Sequence, residues 1–207
     1  MKKMLFVAVL LLGLFCKWPT SVFAADSSWL KLSLWGDIAA AASHNNLNYV
    51  HGLDLGIGST TDHICGVQLD LAYSRVNNEF YGVQTSWIYA SAPEFSGVQS
   101  SLIDVADQFT GVQWGGLNLA NRDFTGVQLG FVNVDLNDFT GVQFSFVNYT
   151  EKFTGVQAGF VNVAKDVNGL QLGLVNYTEN VYGLQIGLVN VATKNWLPAM
   201  ILVNGRF

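Results

Sequence analysis

The stretch "FTGVQLGFVNV" at residues 124–134 is followed by two close copies, "FTGVQFSFVNY" at 139–149 and "FTGVQAGFVNV" at 153–163. Its centre, Gly-[Val/Leu]-Gln, recurs at intervals of 14 to 16 residues. The recurring glycines are Gly66, Gly82, Gly97, Gly111, Gly126, Gly141, Gly155, Gly169 and Gly183. A period this short and regular indicates a repeat architecture in which each copy is one structural unit.

Each copy has the pattern of a β-strand followed by a short polar turn. Along 124–134, alternate residues such as Val127, Leu129 and Phe131 share one face, and Gly126 and Gln128 share the other. The weaker copies "HGLDLGIG" and "LPAMILVN" and the alternating "WLKLSLW" bring the total to twelve segments. Only the stretch at 36–48 does not fit the repeat, and it reads as a longer loop or a short helix. The sequence therefore predicts an all-β fold.

One strand per repeat permits two architectures, and the first is a closed antiparallel barrel of the outer-membrane type. Twelve strands of ~10 residues are an even number of suitable length for such a barrel. The amphipathic last segment ends in Phe207, which resembles the terminal aromatic residue by which bacterial outer-membrane barrels are recognised for assembly. These two features favour the twelve-stranded antiparallel barrel, with Phe207 as its assembly signal.

The alternative architecture is a β-solenoid with one coil per ~14 residues. In that fold Val127, Leu129 and Phe131 would point inward, and Gln128 and Asn133 would stack on their equivalents in neighbouring coils. The apolar triplet spans only ~13 Å, short of the ~25 Å apolar band of a membrane barrel. The solenoid therefore stays open beside the favoured barrel.

The repeat contains one row of identical amide side chains, which is the candidate functional feature in either fold. In a barrel the row would line a polar lumen, and in a solenoid it would form a ladder. The row consists of Gln68, Gln84, Gln99, Gln113, Gln128, Gln143, Gln157, Gln171 and Gln185.

Residues 1–24 have the pattern of a cleaved signal peptide, with a basic start, an apolar run and the small-residue site Val22-Phe23-Ala24. We expect 25–207 to form a single β-repeat domain. Without the signal, seven basic residues stand against fifteen acidic ones, a net charge of −8. A chain of this charge is a poor candidate for binding nucleic acid, which requires clustered Lys and Arg.

No motif in the sequence predicts an enzyme or a bound cofactor. The residues His51, Asp62, His63 and Cys65 lie close together, but their spacing matches no zinc site. There is no nucleophile motif and no phosphate-binding loop. We therefore expect no catalytic residues, no cofactor and no metal.

The late copies "GLQLGLVNYTENV" from Gly169 and "GLQIGLVNVATKN" from Gly183 resemble bacterial surface-repeat proteins with tandem Gly-Leu-Gln-x-Gly-Leu-x-Asn units. The resemblance implies export to the bacterial outer membrane or cell surface and assigns no activity. The leading hypothesis is a non-enzymatic surface protein, structural or passing small solutes. As a barrel, its partners would be outer-membrane lipid and the barrel-assembly machinery. The alternative is a secreted or surface-attached solenoid used for adhesion or partner binding.

Overall fold

The structure is a computed structural model that describes residues 27–43 and 48–207. The predicted signal peptide at 1–24 lies outside these residues. The described residues contain nine β-strands and no α-helix. The strands are β1 (Ser28–Trp35), β2 (Ile38–Ala42), β3 (Tyr49–Ser86), β4 (Tyr89–Ala120), β5 (Phe124–Leu129), β6 (Val132–Leu172), β7 (Val175–Thr178), β8 (Asn180–Ala192) and β9 (Ala199–Arg206).

The longest strands wind around the solenoid instead of running straight. β6 has 41 residues, which would extend ~135 Å at ~3.3 Å per residue. Inside β6, however, Gly155 lies against the backbone of Gly141, fourteen residues earlier in the chain. One repeat therefore makes one coil, and successive coils stack.

The chain divides into two compact units, Met1–Val105 and Ala106–Phe207, with the division inside β4. In the first unit, β1 pairs antiparallel with β2 and parallel with β3, and β3 pairs parallel with β4. In the second unit, β4 to β8 pair in parallel, and β9 pairs antiparallel with β8. The single repeat domain over 25–207 stays a prediction.

The preferred prediction of a twelve-stranded antiparallel barrel is wrong, and the alternative, a β-solenoid, is confirmed. A barrel of hairpins would reverse the chain between copies, whereas Gln128 lies opposite Gln143 and Gly126 opposite Gly141 in parallel register. Antiparallel pairing occurs among the described residues only with β2 and β9. Within the stretch at 36–48, the described residues 36–43 contain β2 and no helix.

The glycine at the start of each Gly-[Val/Leu]-Gln motif is required by the backbone. Gly141 has φ of 140°, a region that residues with side chains rarely adopt. A Cβ atom at this position would overlap the carbonyl oxygen of Gly126 in the coil below. Close parallel stacking therefore depends on glycine here.

The interior of a coil is partly polar, and much of its exterior is apolar. Phe124 and Gln128 are buried, and the rings of Phe124 and Phe139 stack at 4.7 Å between centroids. Leu129 is only half-buried, and Phe131 is 62% exposed. The apolar triplet expected inside the solenoid thus points outward, and this part of the prediction is wrong.

Candidate functional site: internal amide ladders and an external apolar ridge

The Gln residues form hydrogen-bonded ladders along the interior of the coils. In the second unit, Nε2 of each Gln after Gln113 donates to Oε1 of the Gln one coil earlier, at 2.7 to 3.0 Å. This ladder comprises Gln113, Gln128, Gln143, Gln157, Gln171 and Gln185, all with no exposed surface. A buried amide that keeps its hydrogen bonds avoids the cost of desolvation.

In the first unit the Gln ladder ends on a carboxylate. Gln99 donates to Gln84, and Gln84 to Gln68, each at 2.9 Å. Gln68 then donates to Oδ2 of Asp54 at 3.3 Å. Asp54 occupies the Gln position of its coil, so the last acceptor of this ladder is a carboxylate instead of an amide.

A second ladder, of Asn residues, occupies another side of the interior in the second unit. Nδ2 of each Asn before Asn190 donates to Oδ1 of the Asn one coil later, at 2.7 to 3.0 Å. Its members are Asn118, Asn133, Asn148, Asn162, Asn176 and Asn190, all buried. Most of these amides also donate to a backbone carbonyl of the next coil, as Asn162 does to Leu172 at 2.8 Å. The Asn side chains therefore also form hydrogen bonds with the backbone at the corner of the coil.

Lys31 and Asp54 form a buried ion pair in the first unit. Their charged atoms are 3.9 Å apart, and neither side chain is exposed. Nζ of Lys31 donates to the carbonyl oxygen of Thr60 at 2.6 Å and to Oγ1 of Thr61 at 2.8 Å. Asp54 accepts from Ser33 at 2.8 Å. Burial lowers the pKa of Lys31, although the Asp54 carboxylate opposes the shift.

Three further carboxyl groups are buried among polar neighbours. Burial raises the pKa of Asp70 and of Asp104 to about 7. Burial also raises the pKa of Asp135 well above its ordinary value, although Gln128 and Gln143 donate hydrogen bonds to its carboxyl group. Each acid forms hydrogen bonds with side chains of its own coil or of an adjacent coil, and these contacts lie in the interior of the protein.

The exterior of the second unit carries a continuous row of large apolar side chains at the corner of the coil. Phe131 is 62% exposed, Phe160 55% and Leu188 59%. We call the corner row, together with the half-buried or exposed valines that follow each of its members, the apolar ridge. Its corner row is Phe131, Phe146, Phe160, Leu174 and Leu188, and its valines are Val132, Val147, Val161, Val175 and Val189. Coils of the first unit have exposed apolar residues in the same place, namely Ile57, Leu71, Trp87 and Leu102.

Charged residues of the second unit are concentrated on the connectors between repeats, away from the ridge. Ten of the twelve charged residues from 106 to 207 lie there, the exceptions being Asp135 and Arg206. The ten are Asp107, Arg122, Asp123, Asp138, Glu151, Lys152, Lys165, Asp166, Glu179 and Lys194, which we call the charged edge. Ion pairs link successive coils, as Lys152 does with Asp138 at 3.2 Å. Each coil is therefore amphipathic in cross-section.

The residues considered as a metal site form other contacts. Tyr49 stacks on His63 at 4.7 Å between ring centroids, and His63 contacts Asn78 at 3.2 Å. Asp62 accepts a hydrogen bond from Asn77 at 2.8 Å. Within 27–43 and 48–207, no group of His, Cys, Asp and Glu side chains is arranged to hold a metal ion.

Phe207 follows β9 and is 100% exposed. Its predicted role in assembly depended on a barrel, which the fold does not provide. Among the residues that the structure describes, no helix is long and apolar enough to cross a membrane. Comparisons with protein families, curated proteins and solved structures gave no significant match.

The sequence pattern predicted the Gln row but not the ridge or the buried ion pair. The alternation in "WLKLSLW" placed Lys31 on a face with Ser33, which could have indicated a polar interior. For the ridge, the signal was a charge-free run of about ten residues in every late repeat, such as 155–164. The interior is filled by hydrogen-bonded amides and stacked phenylalanine rings, and the ridge is exposed.

Proposed function

We propose that this chain is a non-enzymatic, exported surface protein, a β-solenoid that binds a partner through its apolar ridge. The observation that carries the proposal is the exposure of the ridge, whose central side chains include Phe131, Phe146 and Phe160. Contiguous apolar patches of this kind mark interaction surfaces in water-soluble proteins. The signal-like 1–24 segment and the resemblance to surface-repeat proteins support export.

The passage of solutes is not part of the proposal. It required an open lumen lined by the Gln row, whereas the Gln side chains bond to one another inside the coils, as Gln143 does with Gln128 at 3.0 Å. The ladders act as a scaffold that holds the ridge residues of successive coils in parallel register. Rigid presentation of a side-chain row suits the binding of an extended surface.

The test compares two triple variants that change the same three coils. The ridge variant carries Phe131→Ser, Phe146→Ser and Phe160→Ser, and the control carries Thr125→Ser, Thr140→Ser and Thr154→Ser. The three threonines are exposed and lie beside the charged edge. We expect cells to retain the wild type and the control at the envelope and to release the ridge variant into the medium. Equal retention of all three folded proteins, checked by circular dichroism, would contradict the proposal.

A further inference from the structure

We propose that the partner of the apolar ridge is a lipid surface with zwitterionic headgroups, into which the ridge inserts without spanning the bilayer. This inference rests on the proposed function and names the chemistry of its partner. It follows from the backbone, the depth and the charge distribution of the second unit.

Backbone N–H groups at the ridge donate hydrogen bonds to carbonyl groups of the preceding coil. The N–H of Phe146 donates to the carbonyl oxygen of Phe131 at 3.1 Å, and the N–H of Leu174 to that of Phe160 at 3.0 Å. The N–H of Val189 donates to Leu174 at 3.0 Å. Hydrocarbon offers no hydrogen bonds, so only a backbone that is paired internally tolerates contact with it. Stacked coils meet this requirement along the ridge.

The dimensions of the ridge suit partial insertion. The half-buried Val127 and Leu129 lie beside the ridge and extend its apolar surface. From Val127 to Phe131 the strand extends ~13 Å, at ~3.3 Å per residue. Interfacial proteins bury their apolar faces ~5–10 Å deep, at the boundary between headgroups and acyl chains. A coil therefore offers enough apolar depth to reach this boundary while its connectors stay in water.

The charges of the second unit complement a zwitterionic membrane. The charged edge carries six acidic and four basic residues, a net charge of −2, so it offers no electrostatic attraction to anionic headgroups. The run from Gly155 to Ala164 between two connectors has no charged residue, and neither has the run from Gly169 to Thr178. An uncharged ridge is complementary to uncharged hydrocarbon.

A second copy of the chain is the competing occupant, and the ridge lacks what a specific protein interface needs. Such interfaces contain about one hydrogen bond per 100–200 Å². In the coils of Phe131, Phe146 and Phe160, the ridge side chains are Phe and Val, and neither type donates or accepts hydrogen bonds. No polar group on this part of the ridge would fix the register of two copies, whereas a fluid acyl layer requires no register.

The test measures co-sedimentation of the mature chain with sucrose-loaded phosphatidylcholine vesicles. We expect binding that changes little between about 0.1 and about 1 M NaCl, although the Debye length falls from ~10 to ~3 Å. The ridge variant should bind about a hundredfold more weakly, because three phenylalanines no longer transfer from water to lipid. The threonine control should bind like the wild type.

Three outcomes would overturn the inference. The first is absence of vesicle binding by the wild type, and the second is equal binding by the ridge variant. The third is binding only to anionic vesicles that is lost at high salt. If the ridge variant is released from the cell envelope but the wild type does not bind vesicles, the lipid inference fails and the proposed function survives. Sedimentation velocity without vesicles then tests whether a second copy of the chain binds to the ridge. In that case the wild type should form an oligomer, and the ridge variant should not.

Discussion

Gln143 donates a hydrogen bond from Nε2 to Oε1 of Gln128 at 3.0 Å, so its amide points toward the preceding coil. The Asn row points the other way, because Nδ2 of Asn133 donates to Oδ1 of Asn148 in the following coil, also at 3.0 Å. Two hydrogen-bond chains of opposite direction thus run through the second unit. Their amide dipoles oppose one another, so the interior remains polar without a large net dipole.

The Asn row should contribute strongly to stability. Replacing Asn162 by Ala removes its bonds to Asn176 and to the Leu172 carbonyl. It also leaves one of the two side-chain N–H groups of Asn148 without its acceptor. Unpaired buried polar groups cost about 1–3 kcal/mol each, so we expect a loss of at least about 3 kcal/mol. Urea unfolding measures it. The exposed Asn168, changed to Ala, is the control and should stay within about 0.5 kcal/mol.

The position of the glycine at the start of each motif should not tolerate even the smallest side chain. In Gly141→Ala, the added Cβ would overlap the Gly126 carbonyl oxygen and would occupy an unfavourable φ. We expect a loss of about 3 kcal/mol or more, since backbone strain and a steric clash add together. Thermal unfolding measures the effect, and Thr140→Ala in the same coil is the comparison. Wild-type stability of Gly141→Ala would contradict the parallel stacking.

The buried carboxyl groups should make the protein less stable as the pH rises. The pKa of Asp70 and of Asp104 is raised to about 7, above ~3.9 in an unfolded chain. The folded state therefore holds these protons more tightly, and their stabilising contribution is complete below about pH 4 and is lost as the pH rises through about 7. Each group accounts for up to about 4 kcal/mol by pH 8.

The measurement is the difference in free energy of unfolding between the wild type and the double variant Asp70→Asn, Asp104→Asn from pH 4 to pH 8. We expect the variant to have the flatter profile, because amides do not titrate. The exposed Asp138, changed to Asn, is the control for replacing a surface carboxyl group by an amide. Parallel profiles for the wild type and the double variant would refute the assignment of the slope to these two acids.

Asp135→Thr should stabilise the protein at neutral and alkaline pH. The equivalent residue one coil later is Thr150, whose hydroxyl donates to Gln143 at 2.9 Å. Threonine at 135 would remove a buried carboxyl group whose pKa burial raises. We expect a gain of about 1 kcal/mol at pH 8, typical of a consensus substitution, and a smaller gain at pH 4. Destabilisation at pH 8 would mean that the Gln ladder needs the carboxylate.

The Lys31–Asp54 pair should behave as a buried unit. Lys31→Met leaves Asp54 without its counter-charge, and breaking a buried pair in this way costs about 3–5 kcal/mol. The double variant Lys31→Met, Asp54→Leu should lose less than the sum of the single losses, as a double-mutant cycle will show. Lys152→Met, at the exposed pair with Asp138, should cost no more than about 1 kcal/mol. Additive effects of Lys31 and Asp54 would show that the two charges are not coupled.

The period and the strand pattern predicted the repeat and its β-structure, but they did not decide between barrel and solenoid. The motif around Leu129 is nearly palindromic, so the order of residue types does not distinguish parallel from antiparallel neighbours. Alternation separates two faces without saying which is inside. The usual assignment of apolar residues to the interior failed here because identical amides, stacked in register, satisfy one another and tolerate burial.

The Gln and Asn rows, whose hydrogen bonds run in opposite directions, affect how the number of repeats can change in evolution. Duplication of one repeat would insert one Gln and one Asn, each with a ready donor and acceptor, and would leave the chemistry of both termini as it was. Coils with one residue more, such as that beginning at Phe124, differ from the shorter one at Phe153 in the spacing from Asn to the next repeat. An added coil would thus keep both hydrogen-bonded rows intact, and its effect would be to enlarge the surface that the array presents.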